Sequence, residues 1–242
     1  MSIQLFRLDD AVTFPPPELA LEEPNGLLAF GGDLSVERLL QAYENGIFPW
    51  FSEGEPLLWW SPDPRGILYL EDFQVSRSFR KFLKKHPYKV TKDRAFADVI
   101  AACAATPRDD KGTWITEDMQ QAYVRLHNAG FAHSIEVWEG DDLVGGLYGI
   151  GIGNVFCGES MFHRRSNASK LALYHLVQYM KHFGCRFIDC QMQTEHLSSL
   201  GAVSISRFDF LKQLKQELGR DYPKGLWRNA LELSPSETVT VT

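Results

Sequence analysis

Apolar residues along this chain follow two spacings, and the switches between them predict the elements. Val36, Leu39, Leu40 and Tyr43 recur at i, i+3, i+4 and i+7, with Ser35 able to cap and Gly46 able to stop a helix. A helix over residues 76–86 turns Phe79, Phe82 and Leu83 inward, and a second helix ends near Ala105 after a strand over Gly66–Leu70. Thr116 caps a further helix with Glu117 and Asp118 in its first turn, the stripe Met119, Ala122, Tyr123 and Leu126, and Gly130 at its end. The period then shortens. His133–Trp138, Leu143–Ile150 and Val155–Phe162 read as a β-meander joined by Gly- and Asn-containing turns. A helix starting near Ser166 or Asn167 and closing at Gly184 leads to a strand at Phe187–Met192. A last helix, about Ser206–Leu218, is expected to pack through Phe208, Leu211 and Leu218, and the final ten residues read as a frayed tail.

A meander, a crossover helix and one more strand give a mixed, mostly antiparallel sheet with helices packed on it, an α+β fold. Residues 1–65, rich in Pro, Gly and aromatics, read as a small N-terminal domain, and 66–242 as the main one. Trp50, Trp59 and Trp60 lie close together in the small domain, either filling a thin core or walling a pocket.

Polar groups in apolar strands are the strongest chemical signal. Alternation along Phe187–Met192 puts Ile188, Cys190 and Met192 on one face and Phe187, Asp189 and Gln191 on the other. Glu159 lies in an equally apolar strand, next to Gly158, where a small residue suits close approach of a ligand. A buried carboxylate is costly unless paired, so such groups are functional candidates; a half-exposed sheet with Asp189 and Gln191 facing solvent is the alternative.

Composition narrows the class. Hydrophobic content of 44% with 23% charged residues suits a globular protein. No apolar run approaches the ~18 residues of a membrane span, and no secretory signal is seen, so a cytoplasmic location is expected. Cys103, Cys157, Cys185 and Cys190 show no C-x-x-C spacing and the histidines no ligand spacing, so no metal is expected. Net charge is −6, so any nucleic-acid contact needs a local patch. Helix 76–86 offers one: Arg77, Arg80, Lys81, Lys84 and Lys85 with no acid among them, either a solvated face or a phosphate-binding face.

The element order is similar to the GNAT acyltransferase core, but the crossover helix opens with His163-Arg-Arg-Ser-Asn-Ala-Ser-Lys170, without the glycines of a coenzyme A pyrophosphate loop. A more specific match runs along nearly the whole chain. It is carried by Gly26–Leu34, Ala42–Trp50, Trp59–Arg65, Trp114–Met119, Leu143–Gly149, Gly158–Phe162, Asn167–Lys170, Asp189–Gln191 and His196–Ala202. In these segments the chain resembles the bacterial leucyl/phenylalanyl-tRNA–protein transferases. His163, where a serine is expected, and Val36, where proline is common, depart from the pattern beside the motifs.

The resemblance implies a GNAT-like aminoacyltransferase acting without metal or cofactor. It would transfer Leu or Phe, with Met a further option, from aminoacyl-tRNA to proteins beginning with Arg or Lys, and so mark them for N-end-rule degradation. It implies catalytic roles for Asp189, Gln191 and Glu159: a relay from the acceptor amine through Gln191 to Asp189, or simple positioning, with Glu159 selecting the basic acceptor residue. Trp50, Trp114 and Phe156 match wall positions of a donor side-chain pocket, with Leu147 and Gly158 beside them. Arg77, Arg80, Lys81 and Lys84 are the expected tRNA contacts, with Arg164 and Arg165 as a second group. The protein is expected to act as a monomer away from membranes. Two rivals are a coenzyme A-dependent N-acyltransferase and a non-catalytic reader of basic N-termini. Removing Asp189 or Gln191 is expected to cost activity and spare the fold.

Overall fold

The computed structural model of the chain describes residues 5–106, 113–221, 223, 225–227 and 231–232; the expected frayed tail lies outside them. Four strands, β1 (Phe6–Leu8), β2 (Leu27–Gly31), β3 (Phe48–Pro49) and β4 (Leu58–Trp60), form one sheet in the order β1-β2-β4-β3. Helix α1 (Val36–Glu44) lies between β2 and β3, and the Ser35 side chain caps it by accepting the Arg38 N–H.

The second sheet has eight strands in the order β11-β5-β10-β9-β8-β7-β6-β12. Its chain order runs β5 (Arg65–Tyr69), α2 (Arg77–Leu83), β6 (Lys89–Lys92), α3 (Phe96–Ala104) and α4 (Glu117–Asn128). The meander β7 (Ala132–Glu139), β8 (Asp142–Ile152) and β9 (Val155–His163) follows. Helix α5 (Ala168–His182) crosses over to β10 (Phe187–Gln191). Then come α6 (Glu195–Ser199), β11 (Val203–Ile205), α7 (Arg207–Leu218) and β12 (Leu231–Glu232). Among the described residues of this sheet only β9 and β10 pair in parallel and every other pair is antiparallel, as expected of a mixed, mostly antiparallel sheet.

The large sheet separates two apolar clusters. On one face, Phe187, Ile67, Phe162 and Phe210 join Leu28, Tyr43, Trp59 and Tyr123, so that α1 and the small sheet share a core with α3, α4 and α7. On the other, Leu68, Phe156 and Ile188 pack against α5 through Leu173, Leu176, Val177 and Met180. The caps and stripes expected of the helices beginning at Val36 and Glu117 are present.

Two expectations fail for local reasons, and one strand goes unread in the sequence. Strand β6 is hidden in the sequence because Lys-Val-Thr-Lys reads as polar, yet Thr91 and Lys92 are buried. Lys92 is satisfied by Asp93 and lies over the Tyr179 ring, while Thr91 donates to Glu136. Helix α2 ends at Leu83, short of His86. In α7 Leu211 and Leu218 pack against the core as expected, but Phe210 and Leu214 are its buried residues and Phe208 is 72% exposed.

That last difference is measurable. Phe210→Ala should lower unfolding stability by about 3–5 kcal/mol, whereas Phe208→Ser should change it by less than about 0.5 kcal/mol. Urea denaturation of both variants checks the assignment; similar losses in the two would mean that Phe208 is packed.

Candidate active site

The site forms where β9 and β10 part. Their pairing covers Ile188 with Phe156 and Asp189 with Cys157, after which β9 leaves β10 and continues to His163 paired with β8. Both strands carry a bulge at this point. In β9, Tyr148 pairs with Ser160 and Gly149 with Gly158, leaving Glu159 as the extra residue. In β10, Ile67 pairs with Asp189 and Gly66 with Gln191, leaving Cys190 extra. Bulges re-aim side chains. The strict alternation expected for this strand therefore breaks after Asp189, and Gln191, at φ 55°, turns to the side that Ile188 and Cys190 face. Gly66 makes the bend possible: a Cβ there would lie 2.7 Å from the Gln193 nitrogen and the Met192 carbonyl carbon.

The opening leads into a cavity of ≈ 330 Å³. It gathers the expected wall residues Trp50, Trp114, Leu147, Phe156 and Gly158 around Glu159 and Gln191. Met161, Leu173, Leu176 and Ile188 extend the apolar lining. Nothing in the packing demands a glycine at 158, since a Cβ would meet only ordinary contacts at 3.6 and 3.8 Å; the room it leaves is cavity room. Trp50 stands at the rim, 39% exposed, with its ring edge-on to Trp60.

Asp189 lies on the other side of the sheet. Its carboxylate is buried and accepts two bonds from Arg65, from Nε at 2.8 Å and Nη2 at 2.7 Å. Arg65 Nη1 donates to the Gly46 carbonyl at 2.9 Å, and the guanidinium lies between the rings of Phe48 and Phe210. Burial works against the Arg65 charge, but the Asp189 carboxylate outweighs it and raises the pKa of the group. Asp189 touches Gln191 through the backbone: Oδ1 accepts the Gln191 N–H at 3.0 Å.

Glu159 is the polar centre of the cavity. The Tyr43 hydroxyl lies 2.7 Å from Oε1, the Tyr123 hydroxyl 3.1 Å from Oε2, and Gln191 Nε2 donates to Oε1 at 3.3 Å. Burial pushes the Glu159 carboxyl up to about 7, against the opposing pull of the tyrosines. Both tyrosines are in turn held well above the usual phenol range, by burial first and then by the Glu159 charge. Neither tyrosine is evident from sequence, where both sit on the apolar stripe of a helix. The available signal is that a buried Tyr hydroxyl needs a partner. Arg65 is likewise missed, although it ends the Ser-Pro-Asp-Pro-Arg run.

The basic residues lie away from the cavity, on the surface. Arg77, Arg80, Lys81 and Lys84 are exposed along α2, whose Phe79 packs against Tyr174 of α5. Arg164 donates to the Leu143 carbonyl at 3.1 Å, and Arg165 pairs with Glu139 at 2.9 Å. Among the described residues no His/Cys/Asp/Glu group could hold a metal ion, and no helix is long and apolar enough to cross a membrane.

The Arg65 pair corrects one expectation, that Asp189 can be removed at no cost to the fold. Asp189→Ala strands a buried guanidinium and should cost about 3–5 kcal/mol of unfolding stability. Replacing both partners, Arg65→Met with Asp189→Leu, should recover most of that loss. Chemical denaturation decides; a loss below about 1 kcal/mol in Asp189→Ala would show that the pair is structurally idle.

Comparison with known proteins follows the same lines. The family model described as leucyl/phenylalanyl-tRNA protein transferase matches residues 67–215, and the model of that family's N-terminal domain matches 32–63. A leucyl/phenylalanyl-tRNA–protein transferase of Pseudoalteromonas atlantica is 59% identical over 225 residues, 93% of this chain and 96% of that protein. The Tolumonas auensis protein of the same name is 53% identical over 228 residues, 94% and 97% of the two chains. Among solved structures, L-PGS from Bacillus licheniformis gives a TM-score of 0.38 at 13% identity, over 78% of this chain and 65% of that one, too distant a likeness to argue from. With identity of this order over nearly its full length, the chain belongs to the leucyl/phenylalanyl-tRNA–protein transferase family.

Proposed function

We propose that this enzyme transfers Leu or Phe, and Met by size, from aminoacyl-tRNA to the N-terminal Arg or Lys of acceptor proteins, a step that marks them for N-end-rule degradation. The observation that carries this is a single cavity with an apolar wall and one carboxylate–amide pair, Glu159 with Gln191. An apolar side chain has a place among Trp114, Leu147, Phe156 and Met161, with Trp50 at the entrance and Gly158 leaving room. Such a pocket separates side chains by shape and size, by ~1–3 kcal/mol per methylene or branch, which favours Leu and Phe over Ile and Val. The acceptor's cationic side chain pairs with Glu159 in a site partly shielded from water.

The reaction is aminolysis of an ester. The acceptor's α-amine, freed of its extra proton, attacks the ester carbonyl. A C–N bond forms, the C–O bond to the terminal ribose breaks, and the ribose oxygen takes up a proton. Holding two substrates in line does most of the work. Gln191 directs its amide NH2 at Glu159, so its carbonyl is the acceptor that can orient the attacking amine. Asp189 acts one step back: it pins the Gln191 backbone and is itself held by Arg65, an arrangement that favours positioning over a side-chain relay.

The exposed cations Arg77, Arg80, Lys81 and Lys84 supply the tRNA face. Arg164 and Arg165 form a weaker second group, because Arg165 is already paired and Arg164 is tied to a carbonyl. Residues 1–65 act as the smaller domain, bringing Trp50 to the rim of a cavity built mainly by residues 66–242 and Tyr43 to Glu159 from behind. The enzyme works as a monomer in the cytoplasm.

The test uses labelled Leu-tRNA, a minimal Leu-adenosine donor and a peptide beginning with Arg. Wild-type protein should transfer from both donors, and Gln191→Ala should lose most activity with either. Reversing Arg80 and Lys81 to Glu should weaken the tRNA donor steeply and flatten its salt dependence, since each lost phosphate contact removes about one released counterion. The minimal donor should be nearly unaffected. Equal losses on the two donors would remove α2 from the tRNA face, and no transfer by wild-type protein would remove the function.

A further inference from the structure

Phe156 lines the cavity, and a second aromatic ring, that of Trp227, packs against it with 5.7 Å between centroids and 34° between planes. Trp227 is 7% exposed and is not among the residues that line the cavity. It lies in the short turn 225–227, which follows α7 in the chain and joins the apolar cluster on the α5 side of the large sheet. Two glycines of β8 make room for both rings. Gly149 and Gly151 are two residues apart, so side chains there would stand on one face of the strand. A Cβ on Gly149, besides meeting the Cys157 carbonyl, would lie 2.6 Å from Cε1 and Cζ of Phe156. A Cβ on Gly151 would lie 2.6 and 2.7 Å from Cδ2 and Cε2 of Trp227. The glycines thus form the seat of an aromatic stack.

Trp227 is tied down at several points. Its Nε1 donates to the Gly153 carbonyl at 2.8 Å, and the His133 ring stacks on it at 5.1 Å and 18°. His133 is itself fixed by Asp93, whose Oδ2 lies 2.8 Å from Nδ1. The Tyr179 hydroxyl of α5 donates to the carbonyl of the preceding residue, Leu226, which is fully buried. A ring held in this way has little freedom to move.

We infer that Trp227 is a positioning residue for donor selection: seated against Gly151 and in contact with His133 and Phe156, it holds Phe156 in place as a wall and so sets the size of side chain that the donor pocket accepts. This rests on the donor pocket proposed above and adds a residue outside the cavity that fixes its dimensions. A pocket separates side chains by size only if its walls do not yield. Phe156 can turn about its side-chain bonds, and what stops it from swinging away is whatever fills the space beside it. Protein interiors are close-packed, so removing a neighbouring ring leaves a void into which the surroundings partly relax. Loss of the Trp227 ring therefore gives Phe156 room to retreat and the cavity room to grow.

The test measures transfer to a peptide beginning with Arg from adenosine esters of Leu, Phe and Trp, so that the tRNA body plays no part. The proteins are wild type, Trp227→Phe, Trp227→Leu, Trp227→Ala and Phe156→Ala. Wild type should use the Leu and Phe esters well and the Trp ester poorly. Trp227→Ala should raise kcat/KM for the Trp ester relative to the Leu ester by about tenfold, within the range that one methylene commands in such a pocket. Trp227→Phe, which refills most of the space, should bring that ratio back toward wild type. Trp227→Leu keeps the core apolar and should give an intermediate ratio; it carries the test if the alanine variant does not fold. An equal loss of rate on all three esters in Trp227→Leu and Trp227→Ala, with the ratio unchanged, means that Trp227 serves stability alone and overturns the inference. If Phe156→Ala moves the ratio and the Trp227 variants do not, the donor pocket stands and only the role of Trp227 falls. If Phe156→Ala also leaves it unchanged, the donor pocket itself is wrongly placed, and the inference falls with it.

Discussion

The buried pair of Arg65 and Asp189 is the interaction on which the rest of the site depends. Taking two charges out of water costs several kcal/mol for each, at order-of-magnitude level, so such a pair persists only where its geometry is good and its remaining hydrogen-bonding capacity is used. Here the guanidinium spends two N–H groups on the carboxylate and a third on the Gly46 carbonyl, just past the end of α1. The carboxylate uses its Oδ1 again for the Gln191 backbone. From Gly46 the chain runs back into α1, whose Tyr43 reaches Glu159, and Glu159 accepts from the Gln191 side chain. These links close a circuit around the sheet: Asp189, Arg65, α1, Tyr43, Glu159 and Gln191. One ion pair thus fixes both the placement of α1 and the bend that aims Gln191 into the cavity.

The two sides of β10 divide the labour. The face toward α1 and α7 is structural, with charge held rigidly among aromatic rings. The face toward α5 is the working cavity, apolar over most of its surface, with Glu159 and Gln191 facing each other at its polar centre. A positioned amide and a tunable carboxylate suit ester aminolysis, which is downhill and needs orientation and proton management more than bond activation.

Much of this was legible in the sequence, and the failures have identifiable causes. Helices with a cap residue and a clean apolar stripe, such as those starting at Val36 and Glu117, were readable because local rules and tertiary packing agree there. The meander was readable from its turns. Strand β6 was not, because its buried Lys92 and Thr91 are satisfied by partners distant in sequence or visible only in three dimensions. Phe208 was misplaced because the apolar residues of α7 fit more than one stripe, and docking against β9 and α1 chose Phe210 and Leu214. The face of Gln191 was misjudged for a different reason: period-2 reasoning has no means of locating a bulge. The chemical identities of Glu159, Asp189 and Gln191 stood out in sequence, whereas their division between cavity and core, and the partners Arg65, Tyr43 and Tyr123, came only from packing.

The most direct test of this account is a crystal structure of the Arg65→Met, Asp189→Leu double variant, solved beside a transfer assay on the same protein. Both charges are gone, so the core can repack, but nothing is left to accept the Gln191 N–H. The account predicts a relaxed β10 bulge, a Gln191 side chain no longer within hydrogen-bonding distance of Glu159, and a matching fall in transfer. A variant whose Gln191 stays bonded to Glu159 while transfer collapses would contradict it, because Asp189 would then have a chemical role beyond holding the strand in place.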